Sequence, residues 1–141
     1  MSVFFGRLME KETLDRIAAF KPGPFSQYPV LNFSNVNVTD EHGHLCEIDG
    51  VSQSKTKPKM PYVFVEVKTR QKLIITKTVE LFVEAIQIMV KQKKIRQYHA
   101  YFVYHGKLTT PAAQLLKTHK IQAISLAELG IRVKIQPGKK R

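Results

Sequence analysis

Asp49, Glu66 and Lys68 are the residues whose types and spacing best suit chemistry in this chain. Side chains two apart on a strand face the same way. In the segment YVFVEVK, Glu66 and Lys68 therefore share a face with Tyr62 and Phe64, while Val63, Val65 and Val67 take the other. Glu47 and Asp49 share a face of the preceding segment HLCEIDGV. If the two segments pair, Asp49 and Glu66 converge on one point. Paired carboxylates suit a hard divalent ion, Mg²⁺ or Mn²⁺, with Mg²⁺ taking oxygen ligands at about 2.0–2.1 Å. Such an ion acidifies a bound water and neutralises charge on a phosphoryl group in transfer. A lysine beside it supplies positive charge that carboxylates lack, and can orient or deprotonate the water. The expected chemistry is phosphodiester hydrolysis. E-x-K alone is common on strands, where it forms ordinary surface ion pairs. Its weight here comes from the apolar strand, the Asp on the strand before, an inward-facing helix acid and a basic remainder.

The elements that must position these residues follow from periodicity. Residues 6–20 read as a helix, with Leu14, Ile17 and Ala18 on one face. Glu10 points with that face and Glu12 about 200° away. Pro22, Gly23 and Pro24 end the helix. Extended patches are expected over 28–38, a turn at Asp40–Gly43, a strand over 44–51 and a polar loop from Ser52 to Pro61. The β-branched and aromatic run 62–68 reads as the centre of a sheet. An amphipathic helix over 78–95 places Val79, Phe82, Val83, Ile86, Met89 and Val90 in one stripe. A strand over 98–104, a helix over 110–119, a short strand at 121–124, a helical turn at 126–129 and an edge strand over 131–135 complete the order. The predicted fold class is α/β, a mixed central sheet flanked by helices. The predicted organisation is one domain over 1–136 with a basic tail over 137–141.

Charge points to the partner. The 141 residues carry a formal net charge of +12. Residues 1–50 hold four Lys and Arg against seven Asp and Glu, whereas residues 51–141 hold 19 against four. The acids gather where the candidate site lies, and the bases elsewhere could track a phosphate backbone. Lys55, Lys57 and Lys59 on the loop before the E-x-K strand, Arg70 and Lys72 after it, and Lys77 are candidate nucleic-acid contacts; simple solvation is the alternative for each. Glu47 is either a support for the site or a solvated carboxylate, and Gln87 is more simply an exposed helical residue. Cys46 is the only cysteine, which excludes an intrachain disulfide and a cysteine-based zinc site. The spacing of His42 and His44 indicates no third ligand, and no glycine-rich phosphate loop appears. Tyr98, Tyr101, Phe102 and Tyr104 suit core packing better than base stacking. No apolar run is long enough to span a membrane, and no signal peptide is apparent. The expected setting is intracellular, in cytoplasm or nucleoid, with a viral or nuclear origin also compatible.

CEIDGV at 46–51 followed by YVFVEVKTR at 62–70 resembles the PD-(D/E)xK, or restriction-endonuclease-like, nuclease superfamily. It looks most like the branch holding archaeal Holliday junction resolvases and small bacterial proteins with an EIDL…VFVEVKTR signature. The resemblance implies that Asp49 and Glu66 bind metal together with the Val67 carbonyl, and that Lys68 assists hydrolysis. Gly6, Glu10 and Glu12 match the spacing at the start of the resolvases, which makes Glu10 the active-site helix acid and a further metal ligand. No proline precedes Asp49, and the segments between Glu10 and Asp49 and from Ser52 to Pro61 are long for a minimal resolvase. The implied activity is a Mg²⁺-dependent endonuclease acting on junction, branched or double-stranded DNA. Two symmetric cuts imply a homodimer, with the strand 131–135 or the surface of helix 110–119 as candidate interfaces. A non-catalytic nucleic-acid-binding protein of the same fold is the alternative, and a basic structural or membrane-surface protein a third.

Overall fold

The structure is a computed structural model and describes residues 2–53 and 60–132. Lys55, Lys57 and Lys59, residues 133–135 of the expected edge strand and the tail 137–141 lie outside the described residues. Helix α1 runs Ser2–Phe20, starting earlier than expected. It stops where Lys21 adopts a positive φ of 45° ahead of Pro22, whose ring cannot continue a helix. A 3₁₀ turn at Gly23–Gln27 then drives Phe25 fully into the interior. Strand β1 is Ser34–Thr39. The extended patches expected from residue 28 thus pair only in their last part. Tyr28 and Leu31 are used instead as buried plugs.

The Asp40–Gly43 turn forms as expected. Asp40 Oδ1 accepts the N–H groups of His42 and His44, each at 2.8 Å, and Gly43 takes a φ of 83°. Strands β2 (Leu45–Ser52) and β3 (Tyr62–Lys68) follow, then a two-residue strand β4 (Leu73–Ile74) and helix α2 (Thr76–Lys93). Lys94 closes α2 in the left-handed conformation. Strand β5 (Tyr98–Tyr104), a second two-residue strand β6 (Lys107–Leu108), helix α3 (Thr110–Thr118) and strand β7 (Gln122–Ser125) complete the order. Thr109 caps α3 by accepting the Ala112 N–H at 3.2 Å. Residues 126–129 form a turn rather than a helix, because Gly130 with a φ of 71° reverses the chain at once. Neither Ile131 nor Arg132 lies in a strand; Ile131 is buried and anchors the segment to the core.

The main sheet has the order β1-β2-β3-β5-β7. β1, β2 and β3 are antiparallel neighbours, while β3, β5 and β7 run parallel. The strands around Asp49 and Glu66 are therefore adjacent, as expected. β3 is central, and its two faces meet different helices. Val63, Val65 and Val67 pack with Leu14 and Ile17 of α1 and with Phe25 and Tyr28. Phe64 packs with Phe102 of β5 and with Val79, Phe82, Ile86 and Met89 of α2. Burying side chains of this size stabilises by about 1.5–3 kcal/mol each, which explains why the alternation in YVFVEVK is apolar on both faces until its last residues. Among the described residues no helix is long and apolar enough to cross a membrane.

β4 and β6 form a separate parallel pair, Leu73 with Lys107 and Ile74 with Leu108, that was not expected from sequence. It clamps the loops leaving β3 and β5 so tightly that a Cβ on Gly106 would lie 1.8 Å from the Lys72 carbonyl oxygen. Both groups are backbone-anchored and neither can yield cheaply. Gly106→Ala is expected to lose about 3 kcal/mol of unfolding free energy, read as a lower urea midpoint at unchanged slope. A midpoint equal to wild type would show that the loops are not clamped in this way.

Candidate active site

The site forms where β2 and β3 part. Their ladder pairs Ser52 with Val63, Val51 with Phe64 and Gly50 with Val65. Beyond Gly50 it gives way to a side chain: Asp49 Oδ2 accepts the Val67 N–H at 2.8 Å. A buried N–H left by a diverging ladder must find a partner, and here the partner is a carboxylate of the candidate site.

β2 is irregular at the same place. Ser34 pairs with Val51 and Val36 with Ile48, so two steps along β1 span three along β2. The extra residue falls at Asp49–Gly50, as in a β-bulge, a device that re-aims side chains. Ile48 and Val51 consequently both join the α2 side of the core. Glu47 and Asp49 line a cleft on the α1 side, and a Cβ on Gly50 would lie 2.7 Å from Leu14 Cδ2 on that side too. Strict alternation would have placed Val51 with Asp49.

The cleft encloses about 330 Å³ between α1, β1 and β2. Glu10, Glu47 and Asp49 all face it, so the helical-face reading of Glu10 agrees with the structure. Glu12 instead pairs with Arg16 at 3.1 Å. Arg7, Lys11, Leu14 and Asp15 from α1, with Phe33 and Asn35, complete the lining. The sequence reading placed Leu14 with Glu10 and missed the others. Arg7 was accessible to it, lying three residues before Glu10 on the same helical face. Asn35, which donates to Glu47 Oε2 at 2.8 Å, depends on the β1–β2 register and left no local signal.

Glu66 is 8% exposed and ends the buried part of β3. Its Oε2 receives Lys68 Nζ at 3.0 Å, while its Oε1 is buried without a hydrogen-bond partner. Burial, reinforced by the charge of Asp49, pushes the Glu66 carboxyl up to about 8 from 4.5. Burial and Asp49 likewise raise Glu10 to about 7. Asp49 is raised by burial, against the opposing pull of the Val67 N–H and of Lys68. Burial disfavours the charge on Lys68, but Glu66, Asp49 and Glu10 outweigh it and hold the ammonium above its ordinary value. Three carboxylates thus crowd round one ammonium that does not offset them.

That crowding suits a divalent cation in donor chemistry: hard oxygens, and a buried Glu66 Oε1 lacking any partner. Among the described residues, however, no three such side chains already stand in a metal-holding arrangement. One oxygen of Asp49 is engaged by Val67 N–H and one of Glu66 by Lys68. Arg70, Lys72 and Lys77 are exposed beyond the end of β3 and at the start of α2, outside the cleft lining. Gln87 is exposed on α2, and Cys46 is half-buried beside Glu84 rather than fully buried.

A mixed sheet flanked by helices on both faces matches the restriction-endonuclease-like α/β architecture. The chain is similar to a crystal structure of the protein of unknown function AF1548, at a TM-score of 0.55 and 14% identity over 85% of this chain and 59% of that one. A repair endonuclease from Pyrococcus abyssi is similar at a TM-score of 0.45 and 18% identity, over 67% of this chain and 38% of the other. The chain thus spans less than two thirds of the length of either. No protein-family model and no curated protein matches it.

The raised carboxyls have a consequence for stability. With Glu10 near 7 and Glu66 near 8 against an ordinary 4.5, the folded chain keeps protons that the unfolded chain has released. Their favourable contribution is full below about 4.5 and is lost as pH rises through about 7–8. In the presence of EDTA, the melting temperature of the wild type should fall between those limits. Glu66→Gln should show a shallower fall and melt higher than wild type at the alkaline end. Parallel pH profiles for the two proteins would refute the crowding.

Proposed function

We propose that the chain is a Mg²⁺-dependent deoxyribonuclease that hydrolyses phosphodiester bonds in branched or double-stranded DNA. The observation that carries this reading is the crowding of Glu10, Asp49 and Glu66 near Lys68, which raises all three carboxyls and leaves one Glu66 oxygen buried without a partner. Asp49, Glu66, Glu10 and the Val67 carbonyl would hold the ion. When bound, Mg²⁺ or Mn²⁺ would polarise a phosphoryl oxygen and acidify a water. The chain's own groups do the rest. The Val67 N–H fixes the orientation of Asp49. Glu66 holds the Lys68 ammonium at the mouth of the site, where it donates to a phosphate oxygen and offsets the charge that builds on phosphorus.

The substrate preference is argued from charge: a formal net charge of +12 favours recognition of the phosphate backbone over base code. Arg70, Lys72 and Lys77 lie beyond the strand that bears Glu66 and Lys68, where a backbone could be gripped. The second reading, nucleic-acid binding without cleavage, is favoured by the lack of a closed three-donor arrangement among the described residues. Cleavage of four-way, flapped and linear DNA with Mg²⁺ or Mn²⁺ separates the two. Asp49→Ala and Lys68→Ala should each lower the rate by at least about a hundredfold. Unchanged activity in both variants would sink the site, and binding without cleavage under every metal condition would favour the second reading.

Two cuts related by two-fold symmetry call for two copies of this single centre. We therefore expect a homodimer on a four-way junction. The expected interface strand 131–135 is not formed in its described part, so the exposed surface of α3 is the remaining candidate. Light scattering with and without a junction should register two chains per junction. Cutting by a species that stays monomeric would refute the dimer.

A further inference from the structure

Beyond the ends of β3 and β5 lies a second concavity, with chemistry opposite to that of the carboxylate cleft. It encloses about 310 Å³ and is lined by Gln71, Lys72 and Leu73 from the loop after β3 and by His105, Gly106 and Lys107 from the loop after β5. No acidic residue lines it. Among the described residues neither Lys72 nor Lys107 has a carboxylate within ion-pair distance. Two ammonium groups brought together without a counter-charge repel each other, and an anion between them relieves this.

The backbone builds the groove rigidly. The His105 N–H donates to the Lys68 carbonyl at 2.9 Å and the Lys107 N–H to the Lys72 carbonyl at 3.2 Å. The β4–β6 pair then places Lys107 opposite Leu73. The groove wall therefore begins at the residue that bears the candidate catalytic ammonium. It also lies at the C-terminal ends of two neighbouring parallel strands, where open α/β sheets receive ligands. α2 starts just beyond β4 with no acid in its first turn and no side-chain cap, so its positive end adds to the same field.

We propose that this two-loop groove is a phosphate-backbone site that holds a DNA strand next to Lys68, with Lys72 and Lys107 as the charged contacts and Gln71 and His105 as further hydrogen-bonding ones. The proposal rests on the nucleic-acid reading of the cleft but not on cleavage. It adds Gln71, His105 and Lys107 to the substrate surface and makes the clamp the device that keeps a strand in register with the cleft.

The test is binding of fluorescein-labelled linear duplex and four-way junction, by anisotropy in EDTA, so that hydrolysis plays no part. Lys72→Ala with Lys107→Ala should weaken both by about tenfold. It should also flatten the dependence of affinity on salt by about one unit of slope per lysine. The charge-matched control, Lys91→Ala with Lys93→Ala on the exposed last turn of α2, should do neither. Circular dichroism melting confirms that both double variants are folded; should the groove pair melt lower, Lys72→Gln and Lys107→Gln singly must each show about half the loss in slope. Equal effects of groove and control pairs would overturn the proposal. So would binding to DNA left intact while binding to vesicles of anionic phospholipid is lost. Wild-type binding that depends on the groove, with no cleavage under any metal, would sink the nuclease reading and leave the groove standing.

Discussion

The hydrogen bond from the Val67 N–H to Asp49 Oδ2 is the interaction on which the arrangement of the cleft depends. It exists because the β2–β3 ladder ends at the Gly50–Val65 pair while β3 runs on to Lys68. A buried N–H at that point costs about 1–3 kcal/mol if left alone, and the carboxylate that satisfies it is thereby held in the interior. The bulge in β2 and the docking of α1 follow from the same constraint. The extra residue lets Val51 return to the α2 side of the core while Asp49 stays on the α1 side. Gly50 leaves room for Leu14, so α1 comes close enough to bring Glu10 to the cleft.

Holding these acids together opposes folding. Burial raises Glu66, Glu10 and Asp49, and their mutual repulsion raises Glu66 and Glu10 further. What offsets this is the apolar material on both sides of β3: valines against α1, and Phe64 with Phe102 against α2. A central strand enclosed in this way can tolerate a buried carboxylate near its end because the rest of the strand is so thoroughly packed. The polar cluster of Tyr28, Tyr101 and His99 is the counterpart nearer the start of β5. There buried phenols hydrogen-bond each other and the imidazole, so the polar atoms are satisfied within the fold. Glu66 Oε1 has no such partner.

The two concavities divide the charge. Acids from α1 and β2 line the cleft, while the loops after β3 and β5 carry lysines with no acid lining the groove between them. The fold alone, shared at 14% identity with a structure of unknown function, does not dictate this division. It comes from the particular side chains set at the ends of the strands.

Local pattern was enough to read the strands 62–68 and 98–104, the apolar stripe of α2 and the pairing of two faces on YVFVEVK, because period and burial are encoded in neighbouring residues. It was also enough to put Glu66 with Lys68 and Glu10 with Leu14, since both relations lie within one element. Extended character at 28–33 and alternation from Ile131 misled it: Tyr28, Leu31 and Ile131 are apolar because they plug the core, not because they pair. The bulge at Asp49–Gly50, the Asn35–Glu47 contact and the β4–β6 clamp depend on which residues face one another across strands distant in sequence. Register is a property of pairs of segments, set when both faces of the sheet are packed at once. The types of the candidate residues were therefore determined by the sequence alone, whereas the end of the β2–β3 ladder, and with it the meeting of Asp49, Glu66 and Glu10, was decided only when α1 and α2 closed on opposite faces of β3.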